Sequence, residues 1–458
     1  MPTEPASSPS NKWFVLFAIG VGTFMSALDS SIVNMLLPVL RQTFHTNVAA
    51  IEWVTTVYLF VVSGVLLTFG RLGDLRGHKK LYLTGFIGFM SSSALCGLAL
   101  TLTWLICCRA LQALSAAMLF ANSPAILTKT FPATQRGKAL GLQATMTYLG
   151  LTIGPSLGGM LAQHLSWRAV FYLNVPVGAV ALYLGYRSIP DDNQKHESTH
   201  FDKVGASLFF IGLFSLLLAL NQGHAWGWSS KIIISLLLSA VIILTIFLKY
   251  EYQHQAPMLD LSLFKNLTFS VSAFSANTIY IAMFMLIFLM PFYLIQDRSL
   301  NISHAGLIMT AQPATMMIVA SIAGALSDRL GVRLISLIGL FVLACGFFWL
   351  TYLTSNTPLN HVALNLAICG LGIGLFGSPN NSRLMGAAPR NRQGIAAAIL
   401  ASSRNLGMVL GVATAGAVYT TILAKHGDDA ISTAVTHGFY VSFGIISLSF
   451  LILLLAKR

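Results

Sequence analysis

Charged residues are scarce in this chain of 458 residues, because Asp, Glu, Lys and Arg together make up only 9% of it. A soluble protein carries about 25% charged residues, so the composition excludes an ordinary soluble domain. Hydrophobic residues reach 55%. Apolar runs of about 20 residues, each long enough to cross a bilayer as a helix, recur along the whole chain. The sequence therefore predicts an integral membrane protein with many spans.

Cysteine is also rare, and its positions exclude a disulfide framework. All five cysteines fall inside apolar runs, where we expect small buried side chains. The sequence offers no metal-ligand cluster, nucleotide-binding loop or nucleophile constellation, so neither an enzyme nor a cofactor is predicted. Residues 1–11 are polar. The apolar run behind them lacks a small-residue cleavage site, and we interpret it as a retained first span.

The hydrophobic pattern predicts fourteen transmembrane helices, divided after the sixth by a polar stretch at 190–203. An even number of spans places both termini on one side of the membrane. Segments on that side hold roughly four times as many Lys and Arg as the opposite segments, which is typical of the cytoplasmic side. The net charge of +13 then faces the cytoplasm and anionic lipid headgroups, and no nucleic acid is needed to explain it. The predicted spans are residues 13–38, 48–70, 81–101, 104–127, 137–162, 168–188, 203–221, 231–249, 267–296, 303–327, 334–354, 359–381, 393–422 and 436–456.

An internal repeat relates GRLGDLRGHKK at 70–80 to GALSDRLGVRL at 324–334. Both stretches follow an even-numbered span and are predicted to lie in a cytoplasmic loop. Parallel six-span repeats build transporters with a central site between the two halves. We therefore predict an all-α membrane protein of two pseudo-symmetric six-helix bundles with two further helices between them. The predicted units are a cytoplasmic tail (1–12), a first bundle (13–188), a linker (189–202), two inserted helices with their loop (203–266) and a second bundle (267–458).

Two opposite charges lie deep in the predicted spans of the first half, namely Asp29 and Arg109. Burying an unpaired arginine in a membrane costs at least about 2.5–3.5 kcal/mol, so Arg109 requires a partner. Asp29 on the first span is one choice, and Glu52 at the outer start of the second span is the alternative. The pair is interpreted either as a purely structural contact or as part of a proton site.

Small residues and a second arginine mark two later spans. In the fifth span Gly150, Gly154 and Gly158 are four residues apart, which predicts a helix face for close packing, and Pro155 kinks that helix. The thirteenth span carries Arg404, and no Asp or Glu lies within any of the last six spans. Arg404 must therefore meet backbone carbonyls, water or the negative end of a substrate.

Together these motifs resemble the major facilitator superfamily and, within it, the fourteen-span drug:proton antiporter family. The resemblance covers essentially the whole chain and implies a two-bundle fold, alternating access and proton-driven export. It departs from the fourth-span motif at Ala113 and Ser115, where glycines are usual. The similar stretches are ALDSSIVNMLLP at 27–38 (first-span signature), GRLGDLRGHKK at 70–80 (loop motif), RALQALSAA at 109–117 (fourth-span motif), GPSLGG at 154–159 (fifth-span antiporter motif) and SSRNLGMVLGVA at 402–413 (thirteenth-span pattern).

The resemblance also implies roles for individual residues and partners. Burial favours a neutral Asp29 while a neighbouring Arg109 favours a charged one, so Asp29 is expected to load and release a proton. The implied partners are protons, a small-molecule substrate and the lipid of a bacterial cell membrane, with a monomeric chain and no metal. The expected residues are Asp29, Arg109 and Glu52 for proton coupling; Gly70, Gly73, Asp74, Arg76, Gly77 and Asp328 for a gating loop; and Gly154, Pro155, Gly158 and Gly159 for the antiporter motif. Polar and aromatic residues of the spans expected to line the centre are candidates for the substrate cavity, with an interhelical hydrogen bond as the alternative role of each. They are Asn34, Gln112, Gln143, Tyr148, Asn277, Tyr280, Gln312, Arg404 and Asn405.

The expected substrate class rests on the lack of acidic residues in the spans of the second half. Family members that handle dications commonly carry extra acids in the second half, and the spans there have none. We therefore favour amphipathic drugs that are monovalent lipophilic cations, neutral compounds or zwitterions. The alternatives are a dedicated exporter of one metabolite, such as a siderophore or lipid-like compound, and a membrane receptor or scaffold that transports nothing.

Overall fold

The computed structural model describes residues 11–132, 135–191, 202–227, 229–253, 261–389, 393–427 and 430–456. Within these ranges the chain is helical, with short turns between the helices and no β-strand. A helix satisfies its own backbone hydrogen bonds, which lipid cannot do, so long apolar segments adopt this conformation. The prediction of an all-helical chain is confirmed.

Fourteen of the helices in the described ranges are 19 residues long or longer. They extend beyond the predicted spans at most ends, since polar residues continue a helix past the apolar run. The helices are α1 (Asn11–Thr43), the short α2 (Val48–Ile51), α3 (Trp53–Arg76), α4 (His78–Gly97), α5 (Leu102–Thr130), α6 (Arg136–His164), α7 (Trp167–Ser188), α8 (Lys203–Trp226), α9 (Lys231–Gln253), α10 (Leu267–Phe292), α11 (Ile302–Leu330), α12 (Val332–Leu350), α13 (Leu359–Ala387), α14 (Gln393–His426) and α15 (Ile431–Leu455); a 3-10 helix (Leu261–Lys265) precedes α10 and a π-helix (Tyr293–Asp297) follows it.

Eleven segments of the described chain are long and apolar enough to cross a membrane. The other long helices are α4, α6 and α8. The first two contain many serine, glycine and other weakly hydrophobic residues, and the apolar part of α8 runs only over Val204–Leu220. The structure is thus that of a multi-pass membrane protein with about eleven evident spans, and the fourteen-span arrangement stays a prediction.

The helix ends define two faces of the bundle. On the terminal face, where α1 begins and α15 ends, Lys12 Nζ donates to Gln135 Oε1 at 3.0 Å, and Arg333 Nη2 donates to the Leu454 carbonyl at 2.9 Å. On the distal face, where α1 ends and α15 begins, Arg298 Nη1 donates to the Thr357 carbonyl at 2.8 Å. The terminal face is the one that the charge distribution predicts to be cytoplasmic.

Two groups of helices meet along a central seam. Helices α1 and α3–α7 pack on one another, as do α10–α15, and the two groups touch through the pairs α6–α11, α3–α14 and α1–α10. Helices α8 and α9 pack together, and α8 also lies against α3 and α14. Helix α8 therefore covers one edge of the seam, and α9 packs on α8.

The two stretches of the internal repeat have the same local geometry. Gly77 joins α3 to α4 with φ 95° and ψ 129°, and Gly331 joins α11 to α12 with φ 91° and ψ 136°. Side chains with a Cβ atom rarely adopt positive φ, so each loop requires glycine at this position. Both turns lie on the terminal face.

Candidate transport and coupling site

A polar network is buried inside the first group of helices and centres on Asp29. The Asp29 Oδ2 atom accepts from Arg109 Nη1 at 2.7 Å, and both side chains are about 1% exposed or less. The Oδ1 atom accepts from Asn174 Nδ2 at 2.7 Å and from Gln112 Nε2 at 3.1 Å. Ser93 Oγ in turn accepts from Gln112 at 2.6 Å. Four helices, α1, α4, α5 and α7, thus contribute to one network in which both carboxylate oxygens accept hydrogen bonds.

Arg109 also connects this network to α3. Its Nε atom donates to the Val54 carbonyl at 3.2 Å, and its guanidinium lies over the Tyr58 ring at 4.3 Å. A cation over an aromatic face is attracted by the ring quadrupole. Of the two partners that the sequence left open for Arg109, the structure places Asp29 beside it.

Glu52 lies elsewhere, at the seam between the two groups of helices. The residue is 2% exposed, and its carboxylate packs on the backbone of Gly416 in α14. A methyl group added to Gly416 would come within 2.6 Å of the Glu52 carboxyl carbon. Glu52 is therefore buried near the distal face by a helix of the opposite group.

The glycines of the fifth-span motif pack against two neighbours. Gly150 and Gly154 of α6 pack against α1. A Cβ added to Gly150 would lie 3.0 Å from the backbone nitrogen of Leu28, and one added to Gly154 would lie 2.6 Å from Ser31 Cβ. Gly159 lies against the first turn of α11, so its Cβ would approach Ser303 Cα to 3.0 Å. The motif therefore brings α6 close to α1 with one face and to the opposite group of helices with another.

Contacts at the distal face close the seam there. Arg41 Nη1 donates to Gln296 Oε1 at 3.0 Å, and the Ser303 backbone N–H donates to Gln163 Oε1 at 3.3 Å. Each bond joins one group of helices to the other. The structure therefore represents a state in which the distal ends of the two groups are in contact.

Three of the predicted cavity residues converge at the centre of the seam. Arg404 on α14 holds its guanidinium 5.6 Å from the centre of the Tyr280 ring on α10. Tyr148 on α6, which belongs to the opposite group, is close enough to interact electrostatically with Arg404 and Tyr280. Arg404 Nη2 donates to Asn381 Oδ1 at 2.7 Å. All four side chains are half-buried.

The remaining cavity candidates separate into two sets. Asn34 and Gln112 are buried within the first group, where Asn34 accepts from Thr55 Oγ1 at 3.1 Å. The others lie along α6, α10, α11 and α14. They are Gln143, which donates to Thr23 Oγ1 at 3.3 Å; Asn277, which donates to the Ser403 carbonyl at 2.8 Å; Gln312, which is 4% exposed; and half-buried Asn405.

The predicted gating loop forms a close contact between α3 and α5. A Cβ on Gly73 would overlap the Asn122 side chain and lie 2.5 Å from His78 Nδ1, and these two side chains are 2.7 Å apart. Arg76 is exposed and Gly70 is half-buried. The side chains of Asp74 and Asp328 fall outside the described part of the structure.

The sequence reasoning missed several partners of the charged residues. Asn174 and Ser93 complete the Asp29 network, Tyr58 covers Arg109, and Asn381 holds Arg404. Each is a polar or aromatic side chain inside an apolar helix, and this placement was the feature of the sequence that could have identified it as a partner. A membrane-buried polar side chain is expected to find a hydrogen-bond partner.

Comparison with known proteins identifies the class to which this arrangement belongs. The chain matches the Major Facilitator Superfamily over residues 19–276 and 272–458, so it belongs to that superfamily of membrane transporters and is not an enzyme. Its relatives include proteins named for multidrug transport and multidrug resistance.

Individual relatives cover most of the chain. It is 36% identical over 402 residues to the riboflavin transporter RibZ of Clostridioides difficile, covering 88% of this chain and 87% of the relative. It is 31% identical to the multidrug transporter protein MdtP of Bacillus subtilis (91% and 77% covered) and 30% identical to the multidrug resistance protein Stp of Mycobacterium tuberculosis (92% and 78%). The crystal structure of a D-xylose-proton symporter superimposes with a TM-score of 0.70 at 14% identity, covering 96% of this chain and 97% of that one, which shows the shared fold.

Proposed function

We propose that this chain is a proton-coupled antiporter that exports amphipathic small molecules by alternating access. The observation that carries the proposal is the buried pair of Asp29 and Arg109, whose atoms are 2.7 Å apart. A charged pair inside a membrane protein is a hypothesis of function by default, because its burial is costly. Each proton that moves inward through such a site is driven by about 2.3 kcal/mol per 100 mV of membrane potential.

Protonation of Asp29 gives a physical route to a conformational change. It removes the negative partner of Arg109, and breaking a buried pair in this way costs about 3–5 kcal/mol unless the remaining charge finds new partners. Arg109 already contacts α3 through the Val54 carbonyl and the Tyr58 ring. A change at Asp29 is therefore expected to act on α3 first.

Helix α3 and the residue before it link the proton site to the distal closure. Glu52 directly precedes α3 and packs on Gly416 of α14. A shift of α3 that accompanies movement of Arg109 would change this contact across the seam. In the proposed cycle, protonation of Asp29 and separation of the distal ends are thus coupled through one rigid helix.

The proposal includes fourteen spans in groups of six, two and six. It is supported by the lengths of α4, α6 and α8, which have 20, 29 and 24 residues and reach from one face to the other. The units are those given by the sequence: tail 1–12, first bundle 13–188, linker 189–202, inserted helices 203–266 and second bundle 267–458. Both termini then lie in the cytoplasm of a bacterial cell, with the chain acting as a monomer.

A second candidate function is the transport of one dedicated metabolite. The observation that favours it is the 36% identity to a relative named as a riboflavin transporter. Riboflavin, like many drugs, is a planar amphipathic molecule. A narrow preference for riboflavin over unrelated amphipathic compounds would select this candidate over multidrug export.

The test is transport in proteoliposomes with an imposed pH gradient. The panel contains ethidium as a monovalent lipophilic cation and riboflavin as a neutral compound. We expect substrate to move against the proton flux with the wild-type protein and not with Asp29→Asn. The matched control is Asp191→Asn, which neutralises an exposed acid that pairs with Lys79 at 2.8 Å. Exchange at the wild-type rate by Asp29→Asn would show that the coupling site is elsewhere, with Glu52 as the first alternative.

A further inference from the structure

The electrostatics of the second group of helices differ from those of the first. Arg109 is neutralised by Asp29, whereas no described carboxylate forms an ion pair with Arg404. No Asp or Glu occurs in the sequence between Asp297 and Asp328, or between Asp328 and Asp428. Asp297 lies at the distal end, where Ser432 donates to it at 2.7 Å. Among the described side chains, none therefore supplies a negative partner for the positive charge at the centre of the seam.

Arg404 is held in place but is not saturated with hydrogen bonds. In the described part of the chain its one hydrogen-bond partner is Asn381, and its Nε atom has no acceptor. The guanidinium carries several N–H groups in a planar fork that suits a carboxylate or similar oxygen pair. Asn381 therefore fixes the orientation of the Arg404 guanidinium, while most of the guanidinium N–H donors are unused.

Aromatic rings flank this fork from both groups of helices. The Arg404 guanidinium lies 5.6 Å from the Tyr280 ring centre, and Tyr148 approaches from α6. Aromatic faces favour offset-stacked or edge-to-face contact with another ring. A cationic substrate would be repelled by Arg404 at this position, whereas a planar ring with a negatively charged oxygen group would satisfy both features.

We infer that Arg404, Tyr280, Tyr148 and Asn381 form a binding subsite for a planar aromatic substrate that bears a carboxylate or another anionic oxygen group, zwitterions included. The inference rests on the proposed transport function for its setting, and among amphipathic substrates it favours anions and zwitterions over the lipophilic cations that the sequence suggested. In it, Arg404 binds the anionic group, the two tyrosines contact the ring, and Asn381 positions the guanidinium. Because Tyr148 belongs to the opposite group of helices, bound substrate bridges the seam.

The experiment compares two probes of the same shape and different charge. Anthracene-2-carboxylate and its neutral carboxamide are titrated by fluorescence onto the purified full-length protein in detergent. We expect the wild type to bind the carboxylate at least tenfold more tightly, Arg404→Gln to reduce that ratio to about one, and Tyr280→Leu to weaken both probes alike. The control is Arg298→Gln, which removes an arginine of the distal face.

The possible results test the binding subsite and the proposed antiport separately. A wild-type ratio near one, a ratio unchanged by Arg404→Gln, or binding of neither probe overturns the inference. If Arg404→Gln does not fold, Arg404→Lys decides, since it keeps the charge but loses the planar fork of N–H groups. An undiminished ratio with lysine would show that the fork does not select the carboxylate and would overturn the inference. Selective binding of the carboxylate by a protein that exchanges neither the carboxylate, ethidium nor riboflavin for protons in proteoliposomes would refute the antiport proposal and leave the subsite standing.

Discussion

Substituting one glycine should open the distal face of this transporter. Gly306 on α11 lies directly against α6, and a Cβ added to it would overlap the Pro155 carbonyl oxygen and stand 2.8 Å from the carbonyl carbon. These atoms belong to the backbone, so no side-chain rotation can relieve the overlap. Alanine at this position therefore disfavours the state in which the distal ends touch, because the two helix backbones must move apart to make room for it.

The size of the effect follows from a balance between two states. Overpacking a close contact costs about 1–3 kcal/mol, and here the cost falls only on the state in which the distal ends touch. The helix-forming preference of alanine over glycine, roughly 0.8–1 kcal/mol, applies to both states and cancels. The ratio of distal-closed to distal-open molecules should fall by a factor of about 5–150.

Labelling of a single cysteine measures this ratio. The five native cysteines are replaced, and Ile302→Cys is introduced at the distal contact, where Ile302 is 9% exposed and its backbone lies against Gly159 of α6. In detergent, the rate of maleimide labelling should rise at least about fivefold in Gly306→Ala. The control is Gly377→Ala on α13, where an added Cβ has nothing within 4 Å. Equal labelling rates in the two variants would refute the argument.

Three further predictions concern the other motifs. Asp29→Asn and Arg109→Gln should each lower the melting temperature, and the double variant should lose less than the sum, because leaving one buried charge unpaired costs about 3–5 kcal/mol; additive losses would exclude direct coupling. Gly77→Ala should destabilise the protein by about 1–3 kcal/mol, because a side chain is strained at positive φ; thermal unfolding beside Gly386→Ala, a glycine with open space around it, checks this. Asp74→Asn should slow turnover while substrate affinity, measured by calorimetry, changes only a few-fold; a large loss of affinity at unchanged turnover would contradict a gating role.

The sequence predicted those features that depend on one helix or one turn. Apolar runs located the helices, and the need to compensate a buried charge pointed to a partner for Arg109. The internal repeat aligned Gly77 with Gly331, and the two residues occupy equivalent turns with positive φ. In each case the physical cause acts within a few residues of the chain.

The features that the sequence left open depend on how helices rotate against one another. A membrane helix surrounded by apolar residues has little periodic pattern to show which face meets which neighbour, so Asn174 and Ser93 could not be assigned to Asp29. For the same reason the sequence could not separate Glu52 from Asp29 as the partner of Arg109. The structure decides this because Glu52 packs on Gly416 across the seam.

The positions of the two arginines bear on how substrate and proton would exchange. Asp29 is about 1% exposed and is held by donors from its own group of helices, whereas Arg404 is half-buried at the seam. A molecule bound at Arg404 could not displace the Asp29 proton by direct contact. Under the proposed function, exchange therefore requires that substrate and proton favour opposite conformations of the same seam. Helix α3 contacts Arg109 through the Val54 carbonyl and meets α14 near Glu52. Under the proposal, α3 is therefore the helix that couples the protonation of Asp29 to the conformation of the seam.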